Sequence, residues 1–170
     1  MPSTRLVTRE TPERQAAIAA SLEMFYPIHY QICVKLEDEL RGDALTRHQL
    51  AILWLIRCEG GAERELKRAR IERALKSWYG IGASAVSKAL RALAEPPHEL
   101  LALREDPDSG REKRVSLTER GVARIEALEA VGNAFITRFV ASIPDAEFSA
   151  GVKYLMSLAE IMKSLDARGE

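Results

Sequence analysis

Apolar residues recur at helical spacing through most of the chain. Thr11 begins the first such pattern, because threonine can cap a helix and the proline that follows is tolerated in the first turn. The apolar stripe then runs from Ile18 to Leu40 and stops before Gly42. This pattern predicts a long N-terminal helix, and Pro27 predicts a kink near its middle.

Three more helical patterns follow. Residues 46–59 begin with a capping threonine and are apolar nearly all round, so this helix is predicted to be buried and to end at Gly60. Residues 63–77 alternate charges with apolar residues at helical spacing and predict a third helix. Residues 84–94 are rich in alanine and predict a short helix that Pro96 must end.

The helical period then breaks at two short apolar runs. Residues 100–105 and 113–117 are too short for helices, and the second run alternates apolar and polar positions. Between them lies the sequence Asp-Pro-Asp-Ser-Gly, which is typical of a turn. The pattern predicts a β-hairpin with a charged tip, followed by two long helices that begin near Thr118 and Pro144.

Three helices followed by a hairpin predict a winged helix-turn-helix lobe, residues 45–118, within a mainly α fold that has a small β-hairpin wing. In such a lobe the third helix enters the major groove of DNA. Its apolar residues share one face, and small or basic residues share the other, namely Ser84, Ser87, Lys88 and Arg91. We expect these four to contact DNA, although an ordinary solvated helix face has the same composition.

The hairpin tip carries three basic side chains, Arg111, Lys113 and Arg114. Charge alone would make them a solvated surface turn. Their place on a hairpin that follows the third helix instead favours contact with phosphates and with a minor groove.

Net charge gives no sign of a nucleic-acid partner, since 25 Lys and Arg balance 25 Asp and Glu. The distribution is uneven: residues 63–124 hold 14 basic against 10 acidic side chains, and the remainder holds 11 against 15. A basic middle with acidic ends fits a binding lobe flanked by segments of another role.

Several classes of protein are disfavoured. The longest apolar run, residues 50–56, is far short of the roughly 20 residues that a membrane span needs. No signal peptide is recognisable, so a reducing cytoplasm is expected. The two cysteines and the three histidines do not form a metal-binding pattern, and no catalytic motif or phosphate-binding glycine loop is present. We therefore expect neither an enzyme nor a bound metal or cofactor.

The segments LTRHQLAILWLI, SAVSKALRALA and DPDSGREKRVSLTERG resemble the multiple-antibiotic-resistance regulator (MarR) family of bacterial winged-helix transcription factors. The resemblance covers residues 45–121. The family's wing usually carries an aspartate two positions before the arginine that corresponds to Arg111. Ser109 stands at that position here, which leaves Asp106 or Asp108 to orient Arg111.

The resemblance implies a homodimer that binds a pseudo-palindromic operator in double-stranded DNA and acts as a ligand-relieved repressor. Residues 11–44 and 119–170 would form its helical dimerisation region, and residues 1–10 would be a flexible N-terminus. The apolar stripes of the terminal helices agree, because one lobe cannot cover them. Two alternatives stay open: a winged-helix module that binds a protein partner instead of DNA, and a redox-sensing regulator that uses Cys33 or Cys58. A free cysteine is more often a small buried hydrophobe.

A polar-aromatic group comprises Tyr26, His29, Tyr30 and Trp54. Relatives in the family often bind small phenolic or anionic molecules between the dimer helices and the DNA lobe, which makes this group a candidate effector site. Packing in the core or the dimer interface is the alternative for these residues.

Overall fold

The computed structural model describes residues 11–107 and 109–168, with the side chains of residues 110, 111, 163 and 166–168 outside that description. In chain order its elements are α1 (Pro12–Glu23), a π-helix (Pro27–Cys33), α2 (Val34–Arg41), α3 (Arg47–Glu59), β1 (Glu65–Lys67), α4 (Arg68–Tyr79), α5 (Ala83–Ala94), β2 (Leu101–Asp106), β3 (Ser109–Leu117), α6 (Glu119–Val140) and α7 (Asp145–Arg168).

The N-terminal helix is interrupted where Pro27 predicts a kink. Thr11 caps α1 as expected, since its hydroxyl oxygen accepts a hydrogen bond of 3.2 Å from the Arg14 amide. Proline has no amide hydrogen to continue the α-helical bonding, and the chain passes through the π-helix before α2 begins. Neither α1 nor the π-helix has a buried residue.

Helix α3 supplies the centre of the core, as its apolar sequence predicts. It begins with a capping box in which the Thr46 amide donates to Gln49 Oε1 at 2.8 Å and the Gln49 amide donates to Thr46 Oγ1 at 3.3 Å. Its apolar side chains pack with those of α4, α5 and β3. The fully buried members of this core include Ile52, Leu53, Ile56, Ile71, Leu75, Val86, Leu93 and Val115.

The prediction of a helix throughout residues 63–77 is wrong at its start. Residues 65–67 form β1, which pairs antiparallel with β3 and places Leu66 opposite Val115. A reversal with positive φ angles at Gly61 and Arg64 lets the chain leave α3 and reach this sheet. Three residues are too short to show a strand period, and the partner strand lies far along the chain.

The predicted hairpin is confirmed, but it is part of a three-stranded sheet in the order β1-β3-β2. Strand β3 also begins earlier than predicted, at Ser109. The following helix, α6, begins where the sequence predicts it, because the Thr118 hydroxyl accepts a hydrogen bond of 3.0 Å from the Gly121 amide.

The chain divides into two compact units, one running to Leu128 and the other from Glu129 onward. The first unit contains the sheet and the helices from α1 to the first half of α6. The second contains the rest of α6 and α7, whose apolar side chains include the exposed Leu155 and Met162. None of the helices in the described ranges is long and apolar enough to span a bilayer.

Candidate nucleic-acid interface

Helix α5 presents the polar face that its sequence predicts. Burial of Val86, Leu90 and Leu93 fixes the rotation of the helix about its axis, so the opposite face is turned to solvent. Ser84, Lys88 and Arg91 are exposed on that face. Small and cationic side chains placed in this way can approach base edges and phosphates closely.

Ser87 differs from the other three predicted contacts because it is held inside the protein's own hydrogen-bond network. Its hydroxyl donates to the Ala83 carbonyl oxygen at 2.7 Å and accepts from Arg68 Nη2 at 2.7 Å. Arg68 is the first residue of α4 and also donates from Nε to Glu72 at 2.7 Å. Ser87 therefore links α5 to α4.

Arg114 is likewise engaged within the protein. Its Nη1 lies 3.0 Å from Glu65 Oε1, and its Nε lies 3.0 Å from Asp106 Oδ1. The hydrogen bond with Glu65, followed by the ion pair with Asp106, raises the pKa of the Arg114 guanidinium above its ordinary value. Two carboxylates thus hold a side chain that was predicted to contact phosphates.

Asp106 is the buried centre of this arrangement, with 2% of its surface exposed. Lys67 Nζ lies 3.4 Å from Asp106 Oδ2 and 2.8 Å from Glu112 Oε2. The hydrogen bond with Glu112 first, and the ion pair with Asp106 second, raise the pKa of Lys67. We call the five residues the wing-base network, namely Glu65, Lys67, Asp106, Glu112 and Arg114.

The two cations of the wing-base network, Lys67 and Arg114, remain charged at neutral pH because the pKa of each is raised. Because the pKa of Lys67 is raised on folding, its contribution to the stability of the folded state is complete below its unfolded-state pKa and is lost as pH rises through its folded-state pKa.

The network also bears on Ser109, which stands where the wing of the resembled family carries an aspartate. Asp106 contacts Lys67 and Arg114, whereas Asp108 and the side chain of Arg111 lie outside the described residues.

The remaining basic residue of the predicted wing, Lys113, is exposed on β3 opposite Glu105. It lines a small cleft of about 230 Å³ between the first turn of α4 and β3, together with Arg68 and Glu112. Lys67 and Arg68 were missed by sequence reasoning. In the sequence they are two adjacent basic residues in a charge-rich segment, and such a pair looks the same as part of a solvent-exposed helix face.

The predicted effector group is only partly assembled. Rings of His29 and Tyr30 lie 4.6 Å apart, and those of Tyr26 and Tyr30 lie 5.5 Å apart. Both tyrosines are mostly exposed, with no burial in the core. Trp54 instead lines a cleft of about 480 Å³ formed by residues of the π-helix, α2, α3 and α4.

This cleft, which we call the tryptophan cleft, is mainly apolar. Both tryptophans of the chain, Trp54 and Trp78, line it. Tyr79 also lines it, and burial, followed by the negative charge of Glu37, raises the pKa of the Tyr79 hydroxyl. A cavity of this size with aromatic walls can hold a small organic molecule.

The two cysteines also line the tryptophan cleft. Cys33 and Cys58 are both free and exposed. The expectation that they are small buried hydrophobes is wrong, because Cys33 belongs to the π-helix, which has no buried residue, and Cys58 follows the last buried residue of α3.

Comparison with known proteins agrees with this arrangement. Residues 45–121 match the family described as a winged helix DNA-binding domain. No curated protein matches the chain by sequence. A MarR family protein from Bacillus stearothermophilus has a similar structure, with a TM-score of 0.69 and 18% identity over 91% of this chain and 99% of the other.

Two further solved structures carry a bound partner. The PcaV transcriptional regulator from Streptomyces coelicolor, in complex with its natural ligand, has a TM-score of 0.51 and 20% identity over 94% of this chain and 98% of its own. A mutant MepR from S. aureus, bound to an oligodeoxyribonucleotide, has a TM-score of 0.56 and 21% identity over 85% of this chain and 97% of its own.

The segment from residue 45 to 121 is thus similar in sequence to winged helix DNA-binding domains. The chain as a whole has the fold of MarR-family transcriptional regulators. The mainly α fold with a small β wing is confirmed, and the resemblance noted in the sequence is confirmed at the level of the fold.

Proposed function

We propose that the protein is a homodimeric transcriptional regulator that binds a pseudo-palindromic operator in double-stranded DNA and represses transcription until a small ligand releases it. One observation carries the DNA-binding part: the winged helix domain turns Ser84, Lys88 and Arg91 of α5 to solvent while the opposite face of the helix is buried. The exposed Lys113 on β3 supplies a second contact, with DNA phosphates. Arg111, at the tip of β3, is proposed as a third.

The dependence of DNA binding on salt tests this function. The DNA is a fragment selected from a random pool by the purified protein. A dimer that neutralises about six phosphates is expected to show a slope near −5 in a plot of log affinity against log salt concentration, and to lose roughly 10³-fold in affinity between 50 and 200 mM salt. Fluorescence anisotropy measures the affinity. No selected DNA, or affinity independent of salt, would favour the protein-binding module instead.

Dimerisation is proposed because both ends of the chain expose apolar surface. The α1 and π-helix segment exposes Ile18, Leu22, Phe25 and Ile28, and one face of α7 exposes Phe148, Val152, Leu155 and Met162. Monomeric proteins rarely expose contiguous apolar patches of more than a few hundred Å². A second copy of the chain is the partner that supplies matching apolar faces.

The dimer prediction concerns Leu155, which is 63% exposed on the apolar face of α7. Leu155→Glu is expected to yield monomers at micromolar concentration, because a dimer interface would have to bury the new carboxylate without a partner. Ser157→Glu changes the opposite face of the same helix and serves as the control. Multi-angle light scattering gives the mass. A monomeric mass for the wild-type protein would contradict the proposal. The same mass for Leu155→Glu and Ser157→Glu would contradict it as well.

Ligand release is proposed to act through the tryptophan cleft. Its aromatic walls suit a small aromatic molecule, and Trp54 is the member of the predicted effector group that lines it. A ligand that prefers the conformation unable to bind DNA needs about 1–3 kcal/mol of coupling to change operator affinity 5- to 150-fold. Tyr26, His29 and Tyr30 form a separate exposed cluster that is the second candidate for this site.

Tryptophan fluorescence separates the two candidate sites, because both tryptophans lie at the cleft. Aromatic carboxylates are titrated while fluorescence and operator binding are followed together. Trp54→Ala is expected to raise the ligand concentration that releases DNA at least tenfold, which corresponds to a loss of binding free energy on the order of 1.4 kcal/mol. Tyr30→Ala and His29→Ala are expected to leave that concentration unchanged. The reverse pattern would assign the ligand to the exposed cluster.

A further inference from the structure

Two consecutive residues join the wing to the recognition helix, α5. Lys67 ends β1, and its Nζ contacts Asp106 and Glu112 on the two strands of the hairpin, at 3.4 and 2.8 Å. Arg68 begins α4, and its Nη2 donates to Ser87 Oγ on α5 at 2.7 Å. No residue separates the two, so the backbone at this junction is common to both connections.

Each side of the junction is itself held in place. On the wing side, β1 is hydrogen-bonded to β3, and Lys67 lies opposite Arg114, which contacts the same buried Asp106. On the helix side, Glu72 accepts a hydrogen bond of 2.7 Å from Arg68 Nε and so restricts its guanidinium. A continuous path of contacts therefore runs from the hairpin to α5.

We propose that Lys67 and Arg68 are positioning residues that hold the wing and α5 at one relative orientation, so that the wing contacts DNA only when α5 lies correctly in the major groove. This inference rests on the proposed function. A wing already held in its bound orientation loses little conformational entropy on binding, and its contacts then add their full strength to those of α5. A loosely held wing would add less.

Both side chains act through other residues in this proposal. Carboxylates already neutralise Lys67 and Arg68, which makes each a weak phosphate ligand by itself. The fold is expected to survive their loss, because Arg114 still compensates the charge of the buried Asp106 and the core residues are untouched. Lys67→Met and Arg68→Met keep the apolar part of each side chain and remove the connection.

Spin labels measure the orientation without DNA. Cysteines are introduced at the exposed Glu95, at the end of α5, and at Glu105 on β2, in a chain whose Cys33 and Cys58 are replaced by serine. Labelled chains are mixed with excess unlabelled chains so that one chain is measured at a time. Double electron–electron resonance is expected to give one narrow distance distribution in this parent, and a broader one when Lys67→Met and Arg68→Met are combined.

Two controls separate positioning from the loss of a charge. Arg70→Met removes a cation from the same helix, where Arg70 Nη2 pairs with Glu59 at 2.7 Å, and is expected to leave the distribution narrow. Lys67→Arg keeps a cation within reach of Asp106 and is expected to do the same. A distribution in the double variant as narrow as that of the parent would overturn the proposal.

DNA binding supplies the second readout. In the wild-type background, Lys113→Ala is expected to weaken binding about tenfold per dimer, through the loss of one phosphate contact in each chain. In the Lys67→Met background the same change is expected to weaken binding only about threefold, because a loose wing contributes less. Equal factors in both backgrounds would also refute positioning. Should no variant bind DNA, the proposed function fails, and the spin-label distances still decide on the orientation.

Discussion

Replacing Gly121 with alanine is expected to lower the free energy of unfolding by about 3 kcal/mol or more. Gly121 lies in the first turn of α6, and a Cβ atom there would stand 2.1 Å from the carbonyl oxygen of Leu100. That oxygen belongs to the backbone and accepts a hydrogen bond of 3.1 Å from the Thr118 amide. Relief of the clash would have to displace the start of β2 or of α6, and both frame the wing.

Gly151 provides the matched control for this prediction. It also lies in a helix, α7, but no atom approaches within 4 Å of a Cβ built there. Gly151→Ala is expected to be neutral or to stabilise by up to about 1 kcal/mol through helix propensity. Urea denaturation of both variants at one protein concentration measures the difference. A loss for Gly121→Ala no larger than 1 kcal/mol would contradict the close approach of α6 to Leu100.

Removal of the cationic side chains of α5 is expected to abolish tight operator binding. Lys88→Ala and Arg91→Ala are each expected to cost about 1–3 kcal/mol per half-site where the side chain reads a base. A symmetric dimer carries the change twice, so the loss is about 2–6 kcal/mol, or roughly 30-fold to more than 10,000-fold in affinity. Selection of binding sites from random DNA is also expected to show relaxed preference at the contacted positions.

Two other substitutions distinguish base reading from general electrostatic attraction. Lys113→Ala on the wing is expected to weaken all sequences alike, because a phosphate contact carries no sequence information. Arg41→Ala removes a cation that pairs with Asp38 on α2 and is expected to leave affinity and preference unchanged. If Lys88→Ala and Arg91→Ala change neither affinity nor the selected sequence, α5 is not the recognition helix.

The sequence by itself determined the elements whose signals are local. Thr46 and Gln49 are three residues apart, which is the spacing that a capping box needs when a helix begins after Thr46. The apolar period of α5 determined which of its faces is buried, because Val86, Leu90 and Leu93 must share one side of any helix. The hairpin was also predictable, since its turn composition and alternation lie within one short segment.

Only the tertiary structure decided which side chains meet across long separations in the chain. Arg114 contacts Glu65 across 49 positions, and Arg68 contacts Ser87 across 19. In the sequence these residues look like solvent-exposed charges or DNA ligands, because composition does not record which carboxylate a cation will face. The same holds for the tryptophan cleft. Its walls come from separate helices, and their packing brings both tryptophans and both cysteines to one cavity that no local pattern predicts.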